Sequence, residues 1–191
     1  HAGVVQLGAA LDRLAALGMP LMPEQDGLVR VPRGTELSLT LSLERDAREA
    51  LATLGGREYR LDQTHGKFEA RSLLAEVGTF PIAVVARDTL GNSSDERRIG
   101  ALEVVERGVV SGEDGAPIPG ARISVFRISR GEGERRLWDA AAYGLANPLA
   151  TEANGSYALL LPQSGEYDIE VEAPGFRRVR LALPITDRAV F

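Results

Sequence analysis

The chain holds two imidazoles, His1 and His65, and no cysteine. Thiolate metal sites, disulfides and a thiol nucleophile are thereby excluded, and no His-x-x-x-His pair offers the closely spaced nitrogens of a zinc hydrolase. A serine–histidine–acid arrangement would have to recruit His65 from a predicted turn, and no Gly-x-Ser-x-Gly elbow presents a serine to it. None of the 27 acidic residues is set by its spacing across a cleft from another, as glycoside hydrolysis requires. Asp88, Asn92 and Asp95 supply oxygens that a turn can converge, but the spacing is not that of an EF-hand loop and reads first as plain turn chemistry. No glycine-rich loop opens a helix to cradle a phosphate. The expectation is a chain that is not an enzyme, with no catalytic residues, no cofactor and no metal.

What remains is contact chemistry, in two groups of residues. Arg135, Arg136, Trp138 and Tyr143 combine guanidinium groups with aromatic rings, the types that hold a glycan or a protein surface. The competing reading is structural: Leu137, Ala141 and Leu145 share one face of a short helix, and Trp138, the one tryptophan, covers an open sheet edge. The second group is Val4, Leu7, Leu11 and Leu14, spaced alternately by three and four, the seam of an amphipathic helix. Gly18, Pro20 and Pro23 stop it, so residues 1–23 are predicted to be an N-terminal helical segment, packed on the neighbouring domain or serving as a handle for another subunit.

From residue 28 the apolar period falls to two. Leu37, Leu39, Leu41 and Leu43 alternate with Ser38, Thr40 and Ser42, a strand with one face in a core and one in water. Further strands are predicted at 28–31, 50–54, 57–61, 67–72, 79–87 and 99–105, with Gly55-Gly56 and His65-Gly66 at tight reversals that need positive φ. Seven short strands at this spacing predict an antiparallel sandwich over residues 24–106. The run from Gly78 to Asn92 closes its strand with Asp88-Thr-Leu-Gly-Asn92, and in this it resembles the bacterial immunoglobulin-like domains of surface proteins. Residues 104–108 run into the next pattern without a flexible spacer, so a stiff junction is expected.

Further on come Gly115 with Pro117-Ile-Pro-Gly-Ala121, Thr151 with Gly155 and Tyr157, Gly165 with Tyr167, and Gly175-Phe176. By these, residues 107–191 resemble the carboxypeptidase regulatory-like modules, which share a transthyretin-like sandwich. Read physically, Asp114-Gly115 turns a hairpin, Gly120-Ala121 leaves room for close strands, and Tyr157, Leu159, Leu161, Tyr167, Ile169 and Val171 face inward. An insertion at about 129–148 departs from the family pattern and carries Trp138.

Bulk properties narrow the partners. The 191 residues, 44% hydrophobic, suffice for two small cores, and a formal charge of −5 leaves no electrostatic footprint for nucleic acid. No stretch approaches the roughly 20 apolar residues of a membrane span. The fold class expected is all-β, two tandem antiparallel β-sandwiches with a short N-terminal helical segment. Both resemblances imply an exported bacterial protein, placed extracellularly, on the cell surface or in the periplasm. There it acts as a spacer, an adhesive unit or a self-assembling filament subunit whose partner is a protein, copies of itself included. The alternative is a carbohydrate-binding or accessory domain of a larger exported enzyme, with a glycan as ligand.

Overall fold

Alternating side chains need something to bury one face against, and the chain meets that need with sheets throughout. The computed structural model describes residues 9–16, 19–43, 47–129, 131, 133–161, 164–185 and 189–190. Contacts divide it into two compact units, His1–Val105 and Glu106–Phe191. The fold is all-β, and the one helical element among the described residues is a single 3-10 turn, Ala141–Tyr143.

The first unit contains β1 (Ala9–Ala16), β2 (Met19–Pro20), β3 (Leu28–Pro32), β4 (Glu36–Leu43), β5 (Ala47–Leu54), β6 (Arg57–Arg60), β7 (Asp62–Thr64), β8 (Lys67–Leu73), β9 (Gly78–Asp88) and β10 (Arg97–Val105). They form two five-stranded sheets, β2-β1-β4-β8-β7 and β3-β10-β9-β5-β6. Leu37, Leu39 and Leu41 of β4 are wholly buried, as are Ala52, Leu54, Val84 and Leu102 of the other sheet. Leu74, just after β8, lies where a side chain on Gly55 would collide, and its carbonyl accepts the Gly34 N–H.

The reversals follow the predicted backbone chemistry. Gly55, Gly56, His65 and Gly66 all have positive φ. At the end of β9, Asp88 Oδ1 accepts the N–H groups of Leu90 and Asn92, while Oδ2 accepts the Asn92 amide. The Asn92 bond, with the backbone donors behind it, holds the Asp88 carboxyl below its usual pKa. One pairing departs from expectation: β3 lies parallel to β10.

The N-terminal helical segment is corrected to a strand for its described part. Residues 9–16 form β1 and pair antiparallel with β4 inside the first unit. A three-residue step such as Leu11 to Leu14 puts two side chains on one helix face, but a bulge does the same in a strand by adding one residue between them. The β1–β4 register shifts between Leu11 and Arg13, so Leu11 lies opposite Leu41 and Leu14 opposite Leu39, both on the buried face. Leu14 is core and Leu11 half-buried; Val4 and Leu7 lie outside the described residues.

The second unit contains β11 (Gly108–Val109), β12 (Arg122–Ile128), β13 (Arg135–Leu137), β14 (Leu149–Ala150), β15 (Ser156–Tyr157), β16 (Leu160–Leu161), β17 (Gly165–Glu172), β18 (Val179–Ile185) and β19 (Ala189–Val190). Its main sheet runs β13-β12-β17-β18, with β14 also on β12, and two short pairs, β11-β15 and β16-β19, complete the unit. Ile123, Val125, Leu159, Leu161, Tyr167 and Ile169 make its core, with Tyr157 and Val171 packed beside it.

Thr151 ties the loop before β12 to the sheet. Its hydroxyl accepts the Ala121 N–H and donates to the Ile118 carbonyl, while its backbone bonds Gly120 and Ala121. Gly120 itself has open space where a Cβ would stand and a φ of 69°, so it supplies an angle rather than room. Gly155 is different. A Cβ there would stand 2.7 Å from the Val110 carbonyl oxygen and 2.9 Å from Pro117 Cβ.

Two stability outcomes follow from this packing. Gly115→Ala meets only the left-handed φ and is expected to cost about 1 kcal/mol, whereas Gly155→Ala adds a backbone collision and should cost about 3 kcal/mol or more; urea unfolding of both variants measures the difference. Ser72 on β8 is buried with its hydroxyl unbonded, so Ser72→Ala is expected to stabilise by about 1 kcal/mol. A lower unfolding midpoint for Ser72→Ala contradicts that account.

Candidate functional site

The main cleft in the second unit opens beside the insertion. It has a volume of about 820 Å³ and is lined by Arg127, Arg136, Trp138, Asp139, Tyr143 and Glu166, among others. β12 and the start of β17 present Arg127 and Glu166; β13, the residues that follow it and the 3-10 turn present the rest. Arg136 donates to Glu134 at 2.7 Å, a pair that lowers the pKa of the glutamate.

The insertion builds this wall by strand pairing, not by the expected helix. After Ile128 the chain turns and returns as β13, with Phe126 opposite Leu137 and Ile128 opposite Arg135. Leu137 and Ala141 are exposed, so the predicted face of Leu137, Ala141 and Leu145 does not form. Trp138, Ala140, Tyr143 and Leu145 turn towards the core instead.

Trp138 is 6% exposed, which corrects the expectation of an exposed aromatic contact and matches the structural reading of a ring covering a sheet. Its ring stacks on Tyr143 at 5.7 Å and meets Tyr167 edge-on at 6.4 Å, geometries that suit the aromatic quadrupoles. Burial raises the Tyr167 phenol pKa.

Asn147, which sequence reasoning did not single out, locks the insertion down. Its amide donates to the carbonyls of Val125 and Trp138 at 2.7 and 2.8 Å, and its Oδ1 accepts the Val125 N–H at 2.9 Å. These bonds satisfy β12 backbone where a strand neighbour is otherwise lacking. An asparagine before a proline gives only a turn signal from sequence, so nothing local could reveal this role.

On the outer face of the main sheet lies a ladder of charge. Arg135 sits with its guanidinium carbon 3.4 Å from the Phe126 ring centroid and reaches Asp168 at 3.2 Å and Glu170 at 2.9 Å. Arg180 donates to Asp168 through Nε at 2.8 Å, and Arg178 pairs with Glu170 and Glu172. Asp168 is only 4% exposed, and a carboxylate buried to that degree needs its two guanidinium neighbours.

Of the sequence candidates, Arg136, Trp138 and Tyr143 gather at the cleft, Arg135 belongs to the ladder, and Leu11 and Leu14 belong to the first unit. His65 sits in the turn between β7 and β8 of the first unit. Among the described residues no group of three His, Asp or Glu side chains is placed to hold a metal ion. Asp88 is engaged by Asn92 and its own turn rather than directed at a cation.

The sequence profile of the family described as "Carboxypeptidase regulatory-like domain" matches residues 107–190, somewhat less than half of the chain. Among solved structures the chain is similar to fibronectin(III)-like modules of Clostridium thermocellum CbhA, with 12% identity, a TM-score of 0.38, and coverage of 93% of this chain and 94% of that one. No curated protein matches the sequence.

The single tryptophan gives a direct measure of this arrangement. Its emission is expected to be blue-shifted and poorly quenched by iodide in the folded chain. Trp138→Ala should cost about 3–5 kcal/mol, and Asn147→Ala about 1–3 kcal/mol through the Val125 N–H left without an acceptor. A solvent-exposed emission spectrum contradicts the burial.

Proposed function

We propose that this chain is a non-enzymatic structural or accessory module of an exported bacterial protein. In this reading an immunoglobulin-like sandwich, residues 24–106 extended by β1, precedes a carboxypeptidase regulatory-like sandwich over residues 107–191. It serves outside the cytoplasm, at the cell surface or in the periplasm, as a spacer, adhesive unit or self-assembling subunit whose partners are proteins. The observation that carries the reading is how the second unit spends its ionisable groups: Asp168, a carboxylate only 4% exposed, is tied between Arg135 and Arg180 on the outer sheet face. The profile match to a regulatory-like module over residues 107–190 supports the same conclusion.

A weaker second reading, carbohydrate recognition as an accessory domain of a larger enzyme, rests on the polar cleft at Arg127, Arg136 and Glu166. The buried face of Trp138 removes the stacking platform on which that reading chiefly depended.

The purified chain is expected to show no turnover above blank with chromogenic peptide, ester and glycoside substrates, with or without added zinc. A rate that Glu166→Gln abolishes would overturn the proposal. Glycan-array binding lost in Tyr143→Ala and Arg136→Ala, with folding intact, would establish the second reading in its place.

A further inference from the structure

Among the described residues β18 is an edge strand, bonded to β17 on one side only. Its pairing sets Val179 opposite Val171, Leu181 opposite Ile169 and Leu183 opposite Tyr167, so all three lie on the core side of the sheet. The core reaches Leu183, which packs against it, but ends before Val179 and Leu181. Tyr167 and Ile169 are 1% and 6% exposed, whereas Val179 and Leu181 are 47% and 56% exposed. The seven-residue strand therefore has one edge that no described residue pairs with, and it carries two apolar side chains, Val179 and Leu181, that the unit's own core does not cover.

Edge strands are normally guarded by charge, and β18 carries Arg180 with Arg178 just before it. Here that guard is neutralised. Arg178 and Arg180, with Arg135, are held on the outer face by Asp168, Glu170 and Glu172, as many carboxylates as guanidinium groups. The edge is thus charge-balanced on its outer face at Arg178 and Arg180 and apolar on its inner side at Val179 and Leu181.

We propose that β18 pairs antiparallel with β18 of a second copy of this chain, about a twofold axis through Leu181. This deepens the proposed assembly role and rests on it. Two constraints narrow the register, and pairing all three apolar residues symmetrically about Leu181 selects the one proposed. A strand tolerates proline where the missing N–H points away from its ladder neighbour, so Pro184, and with it Ala182, Arg180 and Arg178, direct backbone groups to the free edge. Centred on Leu181, Arg180 and the second copy's Ala182 exchange both backbone bonds, and the Arg178 N–H meets the carbonyl of the second copy's Pro184. No arginine then faces an arginine. Val179 falls opposite Leu183, and the two Leu181 side chains meet in a close, non-hydrogen-bonded pair, so the two apolar rows join into one stripe. Centring the axis on Arg180 would instead set like charges face to face. A second copy is favoured over an unrelated acidic strand because the carboxylates that an acidic strand would supply are already present in the ladder.

Sedimentation of the intact chain between about 1 µM and about 1 mM is expected to show a monomer–dimer equilibrium. Leu181→Arg, which sets two arginines across the axis, should weaken it by about tenfold or more. Leu137→Arg, at an exposed position on the opposite edge of the same sheet, should leave it unchanged; Trp138 emission verifies folding of both variants. Because the chain has no cysteine, single cysteines report the register. Leu181→Cys should oxidise to a disulfide dimer, its paired Cα atoms being about 4.5 Å apart. Ala182→Cys should not, since those positions lie about 7–8 Å apart on the diagonal. A monomer throughout, a dimer indifferent to Leu181→Arg, or equal crosslinking at both positions would each overturn the pairing. The non-enzymatic reading would survive any of these outcomes and stands or falls by the turnover assays.

Discussion

The two-residue repeat of an extended chain is the constraint on which the second unit depends, and β17 shows it most plainly. Tyr167 and Ile169 enter the core while Asp168, Glu170 and Glu172 project from the opposite face. Neither set of side chains can move without the other, because a slip of one residue exchanges the two faces. The carboxylates then dictate what surrounds them. Asp168 is too buried to stand alone, and Arg135 from β13 and Arg180 from β18 supply its counter-charge across the same face from either side of β17. The same alternation thereby assembles an apolar core and a charge ladder from one strand.

This division of labour bears on function. Residues of the types that perform acid–base chemistry are abundant, yet those at short range are spent on one another: Arg30 on Glu24, Asp26 and Glu103, Lys67 on Asp12, and Arg107 on Glu152. Such pairs orient strands and keep surfaces soluble, contributing little stability where exposed. The distinctive surfaces are instead the margins of sheets, where backbone groups and incompletely covered apolar side chains meet. The insertion covers the margin of β12 with β13, Trp138 and Asn147; at the other margin β18 has, among the described residues, a neighbour on one side only.

Strands whose apolar residues alternate were legible directly. The leucines of β4 and the alternating apolar side chains of β9 announce their faces, and Gly55-Gly56 and His65-Gly66 mark reversals that the backbone angles bear out. The core of the second unit was likewise readable, down to Leu159, Leu161, Tyr167 and Ile169. Where reading failed, the cause was a spacing that two structures satisfy. Leu11 and Leu14 suit a helix face, but a bulge beside Asp12 aligns them equally well in a strand, and the open flank of β4 gave that strand something to pair with. In the insertion, helical spacing lost to the unpaired backbone of β12, which took β13 as its neighbour.

By itself, the sequence determined the all-β class, most strand positions, the turn chemistry and the absence of thiol chemistry, because these depend on residue type and on spacing within a few positions. Only the tertiary structure decided that Trp138 is a core side chain, that Asn147 substitutes for a strand, that Arg135, Arg178 and Arg180 share one set of carboxylates, and that Val179 and Leu181 lie beyond the edge of the core. Each of these is set by which strands become neighbours. Pairing joins residues distant in the chain through backbone groups that every residue carries alike, so no local pattern records it.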